Sequence, residues 1–559
     1  MKKYIIAGIL VVLGLSGLWF FGRPLYKQHR ETQALARAKE YLAKADYRNA
    51  SLCARQTLHA NPRNLEACRI MAELAERARS PMVLDWRRRI VEIDPSVENK
   101  LVLASAALRW QAPPYALTTQ TLEELKSSAS SNSAFYTVSA ELALRLKKPE
   151  QAIECFQQAA HLEPTNELHQ LNLAVLQLPS TNDLVSSGAR ATLERLRSST
   201  NVGSVALRWL VADSVGHSDL AKARQFSEQL LGDPRAIPDD RLQYLTILQR
   251  TTNANYASYL SSLQKTAVTN VTEIYGLSAW MISHDQAPEA LRWLTNLPPK
   301  VQAEQPVPLA LVDGYLATKD WSGLGAYLDG QKWGELDFLR YAFLSRVAAE
   351  QNQPRGADTR WRTAVREAGD RLGPLTSLLS MATAWNRKDA REELLWQIQQ
   401  RFPGERWTLR ELEREYLAQG NTRGLNKLYT VLAGYTPRSF AAENNLAATS
   451  LLLRLNLQRS YELAKKLYAE HPEEPVVVST YAYSLQMQGR TKEGLAALEK
   501  LKAEALETPA VALYYGVLLA EDKQGNKAAK YLAIASKSDL LPEERALLAE
   551  VSKHSGAGS

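Results

Sequence analysis

Cysteine is scarce in this chain. Its 559 residues hold three, Cys53, Cys68 and Cys155, and no CxxC pair. That excludes a zinc ribbon and a dithiol redox motif. The odd count argues against a disulfide framework. Cys53 and Cys68 fall on consecutive predicted helices, where a pairing stays open. The favoured reading is that they are small buried hydrophobes.

Signatures of chemistry are missing as well. There is no HExxH, no GxSxG and no GxGxxG after a strand, so catalysis by those routes is not expected. The glycines of 489–494 have phosphate-loop spacing, but Leu495 follows where Lys-Ser/Thr is required. The stretch is read as a turn between two helices. His161, Glu163, Glu167 and His169 cluster in sequence, with Pro164 breaking the helix between them. They share no helix face, and no metal site is expected. The net charge of +8 is spread thinly. No compact basic stripe with interleaved aromatics accompanies it, so no nucleic-acid partner is expected; with the binding motifs missing as well, no cofactor is expected.

What the chain does have is ordinary folded composition, 45% hydrophobic and 23% charged, at a length too great for one compact core. A stack of small units escapes that limit. Residues 132–164 show the unit. Tyr136, Ala140 and Ala143 lie at helical spacing, Lys147-Lys148-Pro149 makes a break, and Ala152, Phe156 and Ala159 lie on one face of a second helix. Pro149 suits a first helical turn, where its missing N–H is not needed. Pro164 closes the unit. Small residues let the helices approach, and Phe156 fills the space beside them, worth roughly 1.5–3 kcal/mol on burial.

This order of aromatic, small, small, aromatic, small and closing proline over about 34 residues resembles the tetratricopeptide repeat. The resemblance is clear in 34–95, 132–164 and 440–538 and weaker through the middle. Closing prolines give a ruler. Pro62, Pro95, Pro164, Pro234, Pro298 and Pro472 are separated by about one, two, two, two and five units. Further pairs are expected at 98–131, at 166–178 with 184–196, and at 205–234. Residues 286–297 and 361–368 are expected as second helices. Trp209, Trp280, Trp293, Trp361, Trp385 and Trp396 are expected to fill space where small residues are lost. Trp86 is expected to pack, with Arg87-Arg88-Arg89 lining a solvated face.

At the front, Met1-Lys2-Lys3 precedes an uncharged run, residues 4–21 from Tyr4 to Phe21. It spans roughly 27 Å as helix, enough for a bilayer core. Trp19, Phe20 and Phe21 form an aromatic edge. A cleaved signal peptide competes, but the run ends in Leu-Trp-Phe-Phe-Gly-Arg-Pro, a poor cleavage site. Lys2 and Lys3 favour an inside N-terminus, while Arg23, Lys27, Arg30, Arg37 and Lys39 pull the other way. Charges packed tightly against a short apolar run look like an export signal, and the reading is an N-inside anchor with the body outside the cytoplasm.

The expected fold is therefore all-α: an α-solenoid of stacked antiparallel helix pairs preceded by one transmembrane helix. Residues 1–30 form the anchor and its basic flank. Tetratricopeptide-like repeats occupy 31–235, less regular repeats 236–437, and further repeats with a capping helix over 541–551 occupy 438–553. Residues 554–559 are a disordered tail. The resemblance implies that the first helix of each pair lines an inner groove. Family members that grasp a terminal carboxylate place Lys and Asn there. The matching positions are Thr137 and Glu141, Asn445 and Thr449, Ser479 and Tyr483, Leu513 and Val517. Lysine is absent, so that clamp is not expected. The C-terminal groove turns from polar to apolar, which suits an amphipathic helix or an extended apolar peptide from another protein. The reading is a membrane-anchored scaffold without enzymatic activity. Two alternatives stay open: the same scaffold facing the cytoplasm, and an enzyme with its site in the middle section.

Overall fold

The computed structural model describes residues 23–435 and 437–556. The apolar run at 4–21 lies outside them. Among the described residues every regular element is helical, and no helix is long and apolar enough to cross a membrane. Contacts divide the chain into two units, Met1–Gly314 and Tyr315–Ser559. The division falls inside the 236–437 segment.

The first unit is a run of helix pairs joined by short turns, the geometry that makes neighbours antiparallel. It starts earlier than the repeat pattern suggested. The first helix among the described residues is Arg23–Ala43, so the basic flank at 23–30 belongs to the first described pair. Ser133–Arg145 and Pro149–Leu162 form the unit read above, with Ala140, Ala143, Ala152, Phe156 and Ala159 buried. The buried aromatic on its first helix is Phe135, while Tyr136 is only half-buried and stacks edge-on against it at 5.3 Å. Polar staples join the first helices of successive pairs: Lys39 to Glu66 at 3.0 Å, Arg109 to Glu76 at 2.6 Å, Arg208 to Asp240 at 2.9 Å and Arg241 to Glu273 at 3.3 Å.

Each proline of the ruler closes a second helix, and the spacings hold. In chain order five helix pairs separate Pro298 from Pro472, beginning with Val307–Thr318 and Trp321–Leu328 and ending with Phe440–Leu452 and Leu457–Glu470. The turn inside the pairs keeps one register. Lys147, Ser218, Asp285, Asn352, Asn386, Gly420, Gly489 and Lys523 all have positive φ. Each stands two residues before its second helix. A single left-handed residue reverses the chain there, and only two of these eight positions use glycine for it.

Two large apolar cores gather in the second unit among the described residues. One gathers Trp361, Leu378, Leu394, Leu412, Tyr416 and Leu428. The other gathers Tyr483, Leu498, Leu513, Tyr515, Val517 and Leu532. Of the middle-section tryptophans, Trp280, Trp361 and Trp396 are buried as expected, and Trp209 is not, at 42% exposed.

Candidate functional site

The site is built from the last pairs of the second unit. Trp407–Gln419 and Thr422–Ala433 turn at Gly420. Phe440–Leu452, Pro475–Gln486 and Pro509–Glu521 follow as first helices. The run Val476-Val477-Val478 sits in a helix start after Pro475, not in a strand.

Together they line a cavity of about 770 Å³. Asn445, Thr449 and Ser479 are on its wall, beside Leu425, Tyr429 and Tyr514. The polar groups are largely committed. Asn426 Nδ2 donates to Thr449 Oγ1 at 3.0 Å and to Ser450 Oγ at 2.7 Å. Ser479 Oγ donates to the Val476 carbonyl at 3.0 Å. One acceptor is unspent: Asn444, 3% exposed, lies on the same wall with its Oδ1 unpartnered. A buried acceptor left open in this way costs stability unless something donates to it.

The other three candidate groove residues lie deeper. Tyr483, Leu513 and Val517 belong to the apolar core. Their helix neighbourhood explains why. Pro509–Glu521 is buried at every position from Val511 to Leu519. A helix apolar all round needs cover on every face. The face turned to the groove is covered by the chain itself.

That cover is the last helix, Pro542–Gly556. It packs on the Pro509–Glu521 and Gly525–Ala535 helices, as a terminal cap does. It also reaches back. Leu540, Leu547, Leu548 and Val551 pack on the second core, while Leu541 packs on the first. Thr422, 121 residues earlier, donates its hydroxyl hydrogen to Glu543. A Cβ added to Gly420 would lie 3.2 Å from Pro542 Cδ. Tyr514 Oη donates to Glu544 Oε1 at 2.9 Å. Burial, reinforced by the Glu544 carboxylate, pushes the Tyr514 phenol well above the ordinary tyrosine range. Tyr483, 4.8 Å from Tyr514 between ring centres, is raised by burial too, opposed by Arg454.

The sequence carried a signal for this arrangement that repeat reading passed over. Glu544, Leu547, Leu548 and Val551 stand at i, i+3, i+4 and i+7, one face of a helix. Yet none of residues 542–553 is buried; the three aliphatics are half-buried. They contribute roughly 3 kcal/mol together, against about 1.5–3 kcal/mol for one fully buried leucine of the floor. The last helix is held less firmly than the helices beneath it.

The remaining sequence candidates have structural roles. His169 Nε2 lies 3.2 Å from Glu163, whose carboxylate is held below its usual range by hydrogen bonds from Ser133 and Asn166. This is a staple at a turn, and among the described residues no group of three or more metal-ligating side chains converges. Gly489 is a left-handed turn residue and Gly494 a close contact between helices. Cys53 and Cys68 are buried free thiols. Thr137 and Glu141 lie on the first unit; burial raises the Glu141 carboxyl against the pull of Arg109 and Arg145. Trp86 is half-buried with Arg89 over its ring at 5.9 Å.

No family model matches the chain, and no curated protein matches it. Solved structures do. PilF of Pseudomonas aeruginosa aligns at 16% identity over 40% of this chain and 99% of that one, with a TM-score of 0.32. The APC/C hetero-tetramer Cut9–Hcn1 aligns at 12% identity over 94% and 98%, with a TM-score of 0.30. PilW, a type IV pilus biogenesis factor, aligns at 18% identity over 42% and 92%, with a TM-score of 0.26. Similarity at this level carries no argument about activity. The helix-pair fold rests on the geometry above.

Proposed function

We propose that this protein is a scaffold that holds a segment of another protein in the groove of its C-terminal repeats and performs no covalent chemistry. The observation that carries the reading is the cavity lined by Asn445, Thr449 and Ser479. Its lining is mostly apolar, hydroxyl and amide, with the charged Asp539, Glu544 and Arg545 on one side, a composition that binds a peptide by shape and a few polar contacts. Tyr483, Leu513 and Val517 lie in the apolar core and not on this wall.

The scaffold is tethered by residues 4–21, with its body outside the cytoplasm, and serves an envelope assembly in export or polysaccharide production. Support for the tether is the uncharged run with its aromatic edge and flanking charges. The envelope role is an analogy with other tethered repeat proteins.

A photoreactive residue in place of Ala448, on the cavity wall, tests the groove in intact cells. A defined crosslinked partner is expected, lost when Leu417→Arg narrows the mouth. No crosslink from Ala448 would end the proposal. A reporter fused after Ser559 that is active only in the cytoplasm would overturn the orientation.

A further inference from the structure

We infer that the last helix, Pro542–Gly556, is an internal ligand of the groove, and that the external partner is an amphipathic helix of the same chemistry that binds by displacing it. The inference rests on the groove reading above and adds what the groove selects.

The chain supplies the template. The seated helix offers carboxylates in its first turn, Glu543 and Glu544. The groove answers with hydroxyl donors, Thr422 and Tyr514. Behind the carboxylates, Leu547, Leu548 and Val551 make an aliphatic stripe that packs on the second core. Leader residues Leu540 and Leu541 divide between the two cores. The occupant the groove recognises therefore has an acidic first turn with a glutamate at i, aliphatic residues at i+3, i+4 and i+7, and leucines just before the helix.

Three features make the seat exchangeable. No residue of 542–553 is buried. A cavity of about 770 Å³ stays open beside the helix, with Asp539, Leu540, Leu541, Glu544 and Arg545 forming one wall. The tether, residues 536–541 between Ala535 and Pro542, is short, so it presents its helix at an effective concentration on the order of millimolar. An external helix must compete with that, and its apparent affinity falls by the fraction of grooves left open.

The test uses the full chain and a fluorescent peptide of residues 539–553 as probe. Leu547→Asp with Leu548→Asp disarms the internal copy. The probe is expected to bind that variant at least about tenfold more tightly than the unaltered chain. A probe carrying the same two substitutions is expected not to bind. Should the variant fail to fold, Glu543→Lys with Glu544→Lys, which touches only the polar contacts, is expected to raise affinity about threefold or more. In a Cys155→Ser background, Thr422→Cys with Glu543→Cys joined by a reducible crosslinker is expected to abolish probe binding, and reduction to restore it. Equal affinity for the unaltered chain and a folded, disarmed variant would overturn the inference. If Ala448 crosslinks persist in that case, the groove reading stands alone; if they are lost too, both fall.

Discussion

The phenol of Tyr514 donates to the carboxylate of Glu544 across 2.9 Å, joining a buried repeat helix to the last helix of the chain. Tyr514 is 6% exposed, so its hydroxyl is largely shielded from water. Tyr514→Phe keeps the ring and removes the donor. A loss of about 1 kcal/mol is expected. It should be local: hydrogen–deuterium exchange should speed up over 542–551 and stay unchanged over 475–486. Equal acceleration in both helices would mean that the contact holds the repeats together instead.

The floor beneath that contact should respond differently. Leu513 is fully buried among both neighbouring helices and the second core. Leu513→Ala leaves a cavity and should cost about 2–5 kcal/mol. Thermal melting should show the transition of the second unit shifted down, with the first unit's transition unmoved. A shift of under one degree would show that the site collapses freely.

The repeat was legible because its chemistry is local. Ala152, Phe156 and Ala159 sit on one helix and meet partners a turn away, so spacing alone places them in the core. Pro62 through Pro472 mark second-helix ends because proline cannot extend a helix inward. The left-handed turn was less legible, since Lys147 and Lys523 adopt it without glycine. Register places Asn445 and Ser479 on first helices, and the stacking of those helices brings both to one cavity wall. The seat of the last helix was not legible as a contact. Thr422 and Glu543 meet across 121 residues, and no periodicity links them. The capping helix expected over 541–551, the one-face spacing of Glu544, Leu547, Leu548 and Val551, and the uniformly apolar Pro509–Glu521 helix showed that the two would pack, not which residues would meet.

Acid should loosen the entrance to the same repeats. Arg438 Nε donates to Glu443 Oε1 at 2.7 Å, and that bond holds the Glu443 carboxyl below its usual range against the opposing effect of burial. A carboxylate whose folded pKa is depressed stabilises the fold above its unfolded value, near 4.5. That stability is lost as pH falls through the folded pKa. Glu443→Gln should therefore lower the melting temperature at pH 7, by about 1–2 kcal/mol in stability. The difference from the unaltered chain should shrink below pH 4.5. A gap that stays constant down to pH 3 would assign the effect to packing, not to the ion pair.

Glycine substitutions separate close packing from intrinsic helix preference. Gly494 begins the stretch of second helix that crosses Pro475–Gln486. A Cβ there would sit 2.6 Å from Leu518 Cδ2 and 2.9 Å from the Ala482 carbonyl oxygen. The leucine can rotate, but the backbone oxygen belongs to a packed helix, so Gly494→Ala must push the two helices apart. About 1–3 kcal/mol should be lost. Gly188 lies in the exposed face of Asp183–Leu196 with nothing within 4 Å of the same added atom. There alanine removes only the backbone freedom of the unfolded chain, and Gly188→Ala should gain about 0.5–1 kcal/mol. Opposite signs in thermal melts are the expected result. A stabilising Gly494→Ala would mean that the helices of this pair have slack, and that the small residue there is not what sets their approach.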